Sequence, residues 1–363
     1  MKILLIGEYS NVHNTLAKGM RELGHKVTVA SDGDSWKNYP RDIDLKREPG
    51  HRMQFMWRLI KALPHMRGYD IVQIINPMFL ELKAERILPV YKYLRRHNKK
   101  VVMGAYGIDY YWVYVNSQIR PLRYSDFNIG SKVRTDTQAH LYRNEWTGTP
   151  KQQLNEYIAR DCDGIPACLY EYWATYNEVP ELRDKMRFIP LPIEMPSIYH
   201  PNFYGGPVKV FIGISKGRSV YKGTDIMLDA AQALKEKYPD KLELRIAEGV
   251  PFEQYRQMMD GSDAILDQLY SYTPSMNSLL AMSKGIIVIG GGEPENYEIL
   301  GETELKPIIN VQPNYQSVYD ELEQLILHPE RISDLKKQSV EYVRRHHDYL
   351  KVAEQYIRFY QEL

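Results

Sequence analysis

The residues best suited to chemistry lie in one loop, Gly213-Ile214-Ser215-Lys216-Gly217-Arg218-Ser219-Val220-Tyr221-Lys222-Gly223-Thr224-Asp225. It joins an apolar β-branched run to a helical one. Gly213 and Gly217 let the backbone approach an anion, Ser215 adds a hydroxyl, and the helix start contributes partial positive charge. Arg218 and Lys222 supply the full charges that neutralise a phosphate or diphosphate. The competing reading of the same residues is a solvated basic turn capped by Thr224. Two further stretches could serve the same ligand. Thr273-Pro274 reads as an N-cap and first helical residue, so with Ser275 it aims free N–H groups outward. Gly290-Gly291-Gly292-Glu293-Pro294-Glu295-Asn296-Tyr297-Glu298 is a glycine loop carrying three carboxylates, placed where parallel sheets bind ligands. Its plainer reading is an exposed acidic turn.

In the first half, Gly7-Glu8-Tyr9-Ser10-Asn11-Val12-His13 occupies a strand-to-helix turn. Asn11 and His13 are candidates for the acceptor or phosphate side, although a lone His there is more often a surface helix residue. The turn lacks G-x-G-x-x-G, which argues against a nicotinamide dehydrogenase. Asp-x-Asp triplets occur at Asp32–Asp34, Asp42–Asp44 and Asp161–Asp163. Turn aspartates explain them better than a metal site, so no metal is expected.

The elements that must position these residues follow from periodicity. Met1 to Gly7 is an apolar run, followed by Leu16, Met20 and Leu23 at helical spacing and then by Val27 to Val29. Strand Ile71 to Ile75, a helix over Leu82 to Arg96 and strand Val101 to Ala105 continue the alternation, which predicts a parallel sheet. Residues 110 to 160, rich in Tyr, Arg and Asn, read as loops and short helices. Prolines and glycines cluster from Arg187 to Gly206, which marks a linker. A second series follows: strand Val208 to Gly213, helix Thr224 to Tyr238, strand Leu242 to Ala247, strand Ala264 to Asp267, helix Pro274 to Lys284 and strand Ile286 to Gly290. The fold class is therefore α/β with two parallel-sheet domains, 1–195 and 205–345. A final helix, 346–363, is placed to cross back to the first domain.

At 363 residues the chain exceeds what one core supports, in agreement with two domains. Its 47 basic residues against 46 acidic give a formal net charge of +1. That removes the broad positive field a nucleic-acid binder needs. Cys162 and Cys168 fit no zinc or redox spacing, and the opening MKILLIGEYS reads as a strand rather than a leader, so a cytoplasmic location is expected. Tyr, at 29 copies, suits sugar and nucleotide pockets. His51 to Arg67 mixes Met53, Phe55, Trp57, Leu59 and Ile60 with Arg52, Arg58, Lys61 and Arg67. It is either a core-packed helix or a peripheral membrane contact at the inner face of the membrane.

The donor-loop residues give this pattern a family. The Gly-Arg…Lys-Gly segment resembles the donor loop of the retaining GT-B glycosyltransferases of family four (glycosyl transferases group 1). Ser262-Asp263-Ala264-Ile265-Leu266-Asp267-Gln268-Leu269 and Leu280-Ala281-Met282-Ser283-Lys284-Gly285-Ile286-Ile287-Val288 are similar to that family's "AD…DQL…EAMA.GKPV" stretch. Gly104 to Asp109 is similar to its strand-end loop, and Phe188 to Ile193 to its linker. The resemblance implies a GT-B fold, two Rossmann-like domains facing across a cleft. It also implies metal-independent transfer of a sugar from a nucleotide-diphosphate donor to a glycan or lipid-linked acceptor, in bacterial surface-polysaccharide synthesis. Arg218 and Lys222 would stabilise the departing diphosphate, Asp109 would bond an acceptor hydroxyl and assist removal of its proton or else cap the following turn, Tyr106 would lie on the acceptor side, and no cofactor beyond the nucleotide sugar is implied. The family's paired glutamates are replaced by Tyr272 and Leu280. Asn277, Ser278 and the carboxylates Glu293, Glu295 and Glu298 are the candidates to take over their hydrogen bonds. The replacement also leaves open a non-catalytic sugar-nucleotide-binding protein or a sugar-nucleotide epimerase on the same fold.

Overall fold

The computed structural model describes residues 1–215 and 217–363, without the side chains of Trp36 and Phe252. The chain forms two units: Met1–Pro121 with Tyr142–Pro192 and Tyr349–Leu363, and Leu122–Leu141 with Ile193–Asp348.

Unit 1 is built on strands β1 (Lys2–Ile6), β2 (Lys26–Ser31), β3 (Ile43–Asp44), β4 (Ile71–Ile74) and β5 (Lys100–Met103), ordered β3-β2-β1-β4-β5 and all parallel. Ile3, Leu4, Leu5 and Ile6 are all buried. A strand covered on both faces has no solvent side, which is why β1 reads as an unbroken apolar run rather than an alternating one. Beyond β5 the layer continues through Val102↔Gly164 and Ala105↔Ala167 bridges to β8 (Ile165–Ala167) and β9 (Met186–Phe188). The stretch read as loops and short helices carries helices Tyr110–Gln118, Thr137–Trp146 and Pro150–Asp161.

Helix Tyr349–Glu362 is part of unit 1 and lies along helix Val12–Glu22. The approach is close: a Cβ on Gly19 would stand 2.7 Å from the Tyr349 carbonyl oxygen, so only glycine fits there. Buried polar groups fasten the contact. Tyr360 donates to Gln73 Oε1 at 2.7 Å, Gln73 Nε2 donates to the Tyr106 hydroxyl at 3.3 Å, and Tyr106 and Tyr356 share a hydroxyl hydrogen bond.

Unit 2 has the parallel sheet β11-β10-β12-β13-β14, from β10 (Val208–Ile214), β11 (Leu242–Glu248), β12 (Ala264–Leu266), β13 (Ile287–Gly290) and β14 (Ile309–Asn310). Its core is aliphatic, with Val210, Ile212, Leu266, Ile287 and Ile289 meeting Met227, Leu234, Leu322 and Ile332 from the helices. Residues 122–141, inside the span 1–195 expected to form one domain, pack with unit 2 instead. They carry the two-stranded antiparallel hairpin β6 (Asn128–Ile129) and β7 (Lys132–Val133).

Candidate functional site

The basic loop of unit 2 begins later than expected, because Gly213 and Ile214 belong to β10. Gly213 is small for a packing reason: a Cβ there would meet the Tyr255 ring at 2.5 Å. The Arg218 N–H then closes a turn on the Ser215 carbonyl at 3.1 Å, with Gly217 at φ 74° supplying the left-handed step. Lys216 lies outside the described residues. A short helix, Ser219–Lys222, ends at Gly223 in the left-handed region, and helix Thr224–Lys237 starts directly from it. A side chain at Gly223 would also press within 2.5 Å of Leu269 Cβ. Thr224 therefore opens the helix rather than capping it, and its hydroxyl shares a 2.9 Å hydrogen bond with Ser219.

Arg218 and Lys222 sit at the two ends of this turn, both half-buried. The guanidinium of Arg218 lies 5.5 Å from the Tyr221 ring centroid, and its Nε is buried without a hydrogen-bond partner among the described residues. A buried cationic donor without a hydrogen bond is costly. Lys222 is held through its backbone, with its N–H on the Arg218 carbonyl at 3.0 Å and its own carbonyl accepting from Leu269 N–H at 3.0 Å.

A second arginine underpins the turn. Arg134, which follows the β6–β7 hairpin, donates to the carbonyls of Tyr221 at 3.0 Å and Val220 at 2.9 Å. Its guanidinium also stacks 3.6 Å from the Tyr270 ring centroid and pairs with Asp136 at 3.2 Å. Arg134 thus supplies the donors that the last carbonyls of a helix lack.

The neighbouring strand end differs from expectation. The helix expected to begin at Thr273-Pro274 begins at Met276 with Ser275 as N-cap, and Thr273 is buried before it. The Ser275 hydroxyl does not cap; it donates to Asp267 Oδ2 at 3.3 Å, just past β12. Ser278 also donates to Asp267, and Asn277 donates to the Tyr255 hydroxyl at 2.9 Å. Asp267 and Tyr255 thus gather Ser275, Ser278 and Asn277 around the ends of β10 and β12. Asp267 was legible as a polar residue closing an apolar strand, while Tyr255 carried no signal.

The carboxylate loop is closed onto its own unit. Glu293 Oε1 accepts from Tyr124 at 2.6 Å and from Gln312 at 2.8 Å, and Oε2 accepts from Arg123 at 2.8 Å. Burial alone would raise its pKa, but these donors, with Asn310, hold it below the ordinary carboxylate range. Glu295 is bound by the same Arg123 fork, and Glu298 is exposed on helix Pro294–Leu300. Tyr272, at the first replaced glutamate, accepts the Arg123 N–H at 2.7 Å, and its ring lies 4.9 Å from that guanidinium. Leu280, at the second, is a half-buried residue of helix Met276–Ser283. The hydroxyl-acceptor role expected of Glu293 and Glu295 is thus met by competitors within the chain. Arg123 and Arg134 went unseen because their partners lie far away in sequence.

In unit 1 the expected acceptor-side residues are mostly structural. His13 is fully buried, donating from Nδ1 to the Gly7 carbonyl at 2.8 Å and accepting from Gln73 at Nε2, 3.1 Å away. Burial pushes its imidazole down to about 3, so it stays neutral in the core rather than facing solvent. Asp109 caps helix Tyr110–Gln118, taking the Trp112 N–H at 2.8 Å on one oxygen and the Tyr176 hydroxyl at 2.5 Å on the other. Burial raises it to about 6, yet both oxygens are occupied and no surface is left for a hydroxyl to approach. Tyr106 is committed to Tyr356 and Gln73, and half-buried Asn11 precedes helix Val12–Glu22 in the left-handed conformation, donating to Thr15 at 3.0 Å. The Asp-x-Asp aspartates likewise serve local partners: Asp34 with Lys37, Asp42 with Arg21, and Asp163 with Arg95, each at 2.6 Å.

The carboxyl missed in this unit is Glu8. It is buried, accepts the N–H groups of His13 at 3.2 Å and Asn14 at 2.8 Å, and is raised by burial to about 8. The native state therefore keeps a proton that the unfolded chain, with its ordinary value of 4.5, gives up. Stability from this group is complete below 4.5 and is lost as pH rises through about 8. Glu8→Gln is expected to flatten the fall in Tm between pH 6.5 and 8, measured by calorimetry across that range; an unchanged slope would place the proton elsewhere.

Each unit is a Rossmann-like parallel α/β layer, and two such units on one chain define the GT-B fold class. The structure of HepE from Anabaena in complex with UDP-glucose is similar to this chain over 100% of both chains, at 12% identity and a TM-score of 0.65. Sucrose-phosphate synthase from Thermosynechococcus elongatus matches 100% of this chain and 99% of its own, at 12% identity and a TM-score of 0.66. WaaG, a glycosyltransferase involved in lipopolysaccharide biosynthesis, covers 98% of each chain at 12% identity and a TM-score of 0.57. No protein-family model and no curated relative matches the chain.

Proposed function

We propose that this protein is a glycosyltransferase that takes a sugar from a nucleoside-diphosphate donor bound by unit 2. The observation that carries the reading is Arg218, whose buried Nε has no partner among the described residues and which sits one turn from Lys222 at a strand-to-helix junction. In that arrangement both cations neutralise the diphosphate, and Gly217 keeps the backbone low beneath it. Support in kind comes from HepE, whose structure holds UDP-glucose. Transfer proceeds with retention and without a metal: an acceptor hydroxyl bonds to the anomeric carbon, the bond from that carbon to phosphate oxygen breaks, and the hydroxyl proton passes to the leaving phosphate. Arg218 and Lys222 stabilise the charge that grows on the diphosphate, so no side-chain base is required. This agrees with the occupied state of Asp109. The acceptor is a glycan or lipid-linked saccharide of surface-polysaccharide synthesis, and the ribose hydroxyls, with no glutamate at 272 or 280, bond to the Ser275–Ser278 turn.

A thermal-shift panel of UDP, GDP, CMP and their sugars tests the reading. A matching nucleotide at 100 times its Kd is expected to stabilise the protein by about 2.7 kcal/mol. Mass spectrometry of the products then separates the activities: sugar transfer to an added glycan is expected. Binding with no turnover would leave a sugar-nucleotide-binding protein, and an isomerised donor without acceptor would mean an epimerase.

A further inference from the structure

Helix Arg52–Ala62 of unit 1 has two apolar faces, and only one belongs to the core. Phe55, Leu59 and Ala62 are buried. On the opposite side Met53 is 79% exposed, Trp57 62% and Ile60 56%. Their spacing of four and three residues sets them on one helical stripe. Single exposed apolar residues are ordinary, but three large ones aligned on one helix form a patch that wants a partner.

The charges around the stripe say which partner. From Pro49 to Tyr69 the chain contains no acidic residue, while Arg52, Arg58, Lys61 and Arg67 fall within it. Arg58 is turned away, donating to the Lys46 carbonyl and lying 3.4 Å from Asp44. Arg52, Lys61 and Arg67 are exposed. A Trp-bearing apolar stripe flanked by cations, on a helix not long and apolar enough to cross a membrane, matches a surface that lies in the headgroup layer of an anionic bilayer. Trp belongs at that depth because its ring is apolar while its N–H still reaches water. We propose that this helix docks the protein flat on an anionic lipid membrane, with Met53, Trp57 and Ile60 inserted and Arg52, Lys61 and Arg67 on the headgroups. The proposal does not depend on the identity of the sugar donor.

The test is flotation of the full chain with vesicles of phosphatidylcholine carrying about one-third phosphatidylglycerol, beside pure phosphatidylcholine. Binding is expected only to the anionic vesicles, with Trp fluorescence quenched by lipids brominated on their acyl chains. Trp57→Ala with Met53→Ser should weaken binding at least about tenfold and abolish that quenching. Lys61→Glu with Arg67→Glu should weaken it about tenfold without altering the fold seen by circular dichroism. Absence of flotation, or flotation that ignores both pairs of substitutions, overturns the proposal. So does self-association abolished by Trp57→Ala, which would assign the stripe to a second copy of the chain.

Discussion

Arg218→Ala is expected to weaken nucleotide-sugar binding by about 10- to 150-fold, the factor carried by one charge-assisted hydrogen bond of roughly 1.5–3 kcal/mol. The same substitution should leave the Tm of the ligand-free protein within about two degrees, because among the described residues the Nε of this guanidinium holds no hydrogen bond that the change would break. Its Nε has no hydrogen-bond partner among the described residues, and its guanidinium lies 5.5 Å from the Tyr221 ring centroid. The split between intact stability and lost affinity separates a ligand-binding arginine from a structural one. Titration calorimetry with the nucleotide that succeeds in the thermal-shift panel reads the first half, and a melting curve the second. Undiminished affinity in the variant would move the diphosphate away from this turn and undo the functional reading.

Arg134→Met is expected to show the reverse balance. The side chain is 7% exposed and holds two carbonyls of the short helix Ser219–Lys222, the Tyr270 ring and the Asp136 carboxylate. Methionine keeps the bulk but none of the donors, leaving two carbonyls and a nearly buried carboxylate without their cation. Removing one partner from a buried ion pair costs about 3–5 kcal/mol. For a unit of this size that lowers Tm by about 10 °C. Differential scanning calorimetry checks this, and melting at the parent temperature would show the carbonyls to be satisfied without Arg134. Nucleotide affinity should fall as well, since the turn that presents Arg218 and Lys222 is what loosens.

These two arginines mark the limit of what the residues disclose unaided. The setting of Arg218 was legible because it is local: a strand, a glycine turn and a helix start within a few residues. Both parallel sheets were legible for a similar reason, since a strand buried on two faces, such as β1 or β13, must be apolar throughout. Arg134 and Arg123 belong to a stretch with no periodicity, and their partners lie 86 and 170 residues away, so their meaning exists only once unit 2 has folded around them. Polar residues at strand ends misled in another way. His13, Asp109 and Tyr106 look like groups awaiting a ligand, yet each is consumed inside the core by Gln73, Tyr176 or Tyr356. Composition cannot tell a polar group reserved for substrate from one spent on holding helices together. The helix expected to start at Thr273-Pro274 starts at Met276, and the Ser275 hydroxyl at its N-cap goes to Asp267 instead of a helix N–H.

The helix Tyr349–Glu362 gives the protein an order of assembly. Domains emerging from a ribosome generally fold as they appear, the first before the second. Here the first unit cannot close, because Gly19 packs against Tyr349 and Ala353, and Gln73 bonds to Tyr360. Until Tyr349–Leu363 has been made, the groove beside helix Val12–Glu22 stays open and the buried Gln73 carbonyl lacks the hydroxyl donor that Tyr360 supplies. Removal of Tyr349–Leu363 would therefore do its damage more than three hundred residues away in sequence, leaving helix Val12–Glu22 as the part that chaperones and proteases recognise.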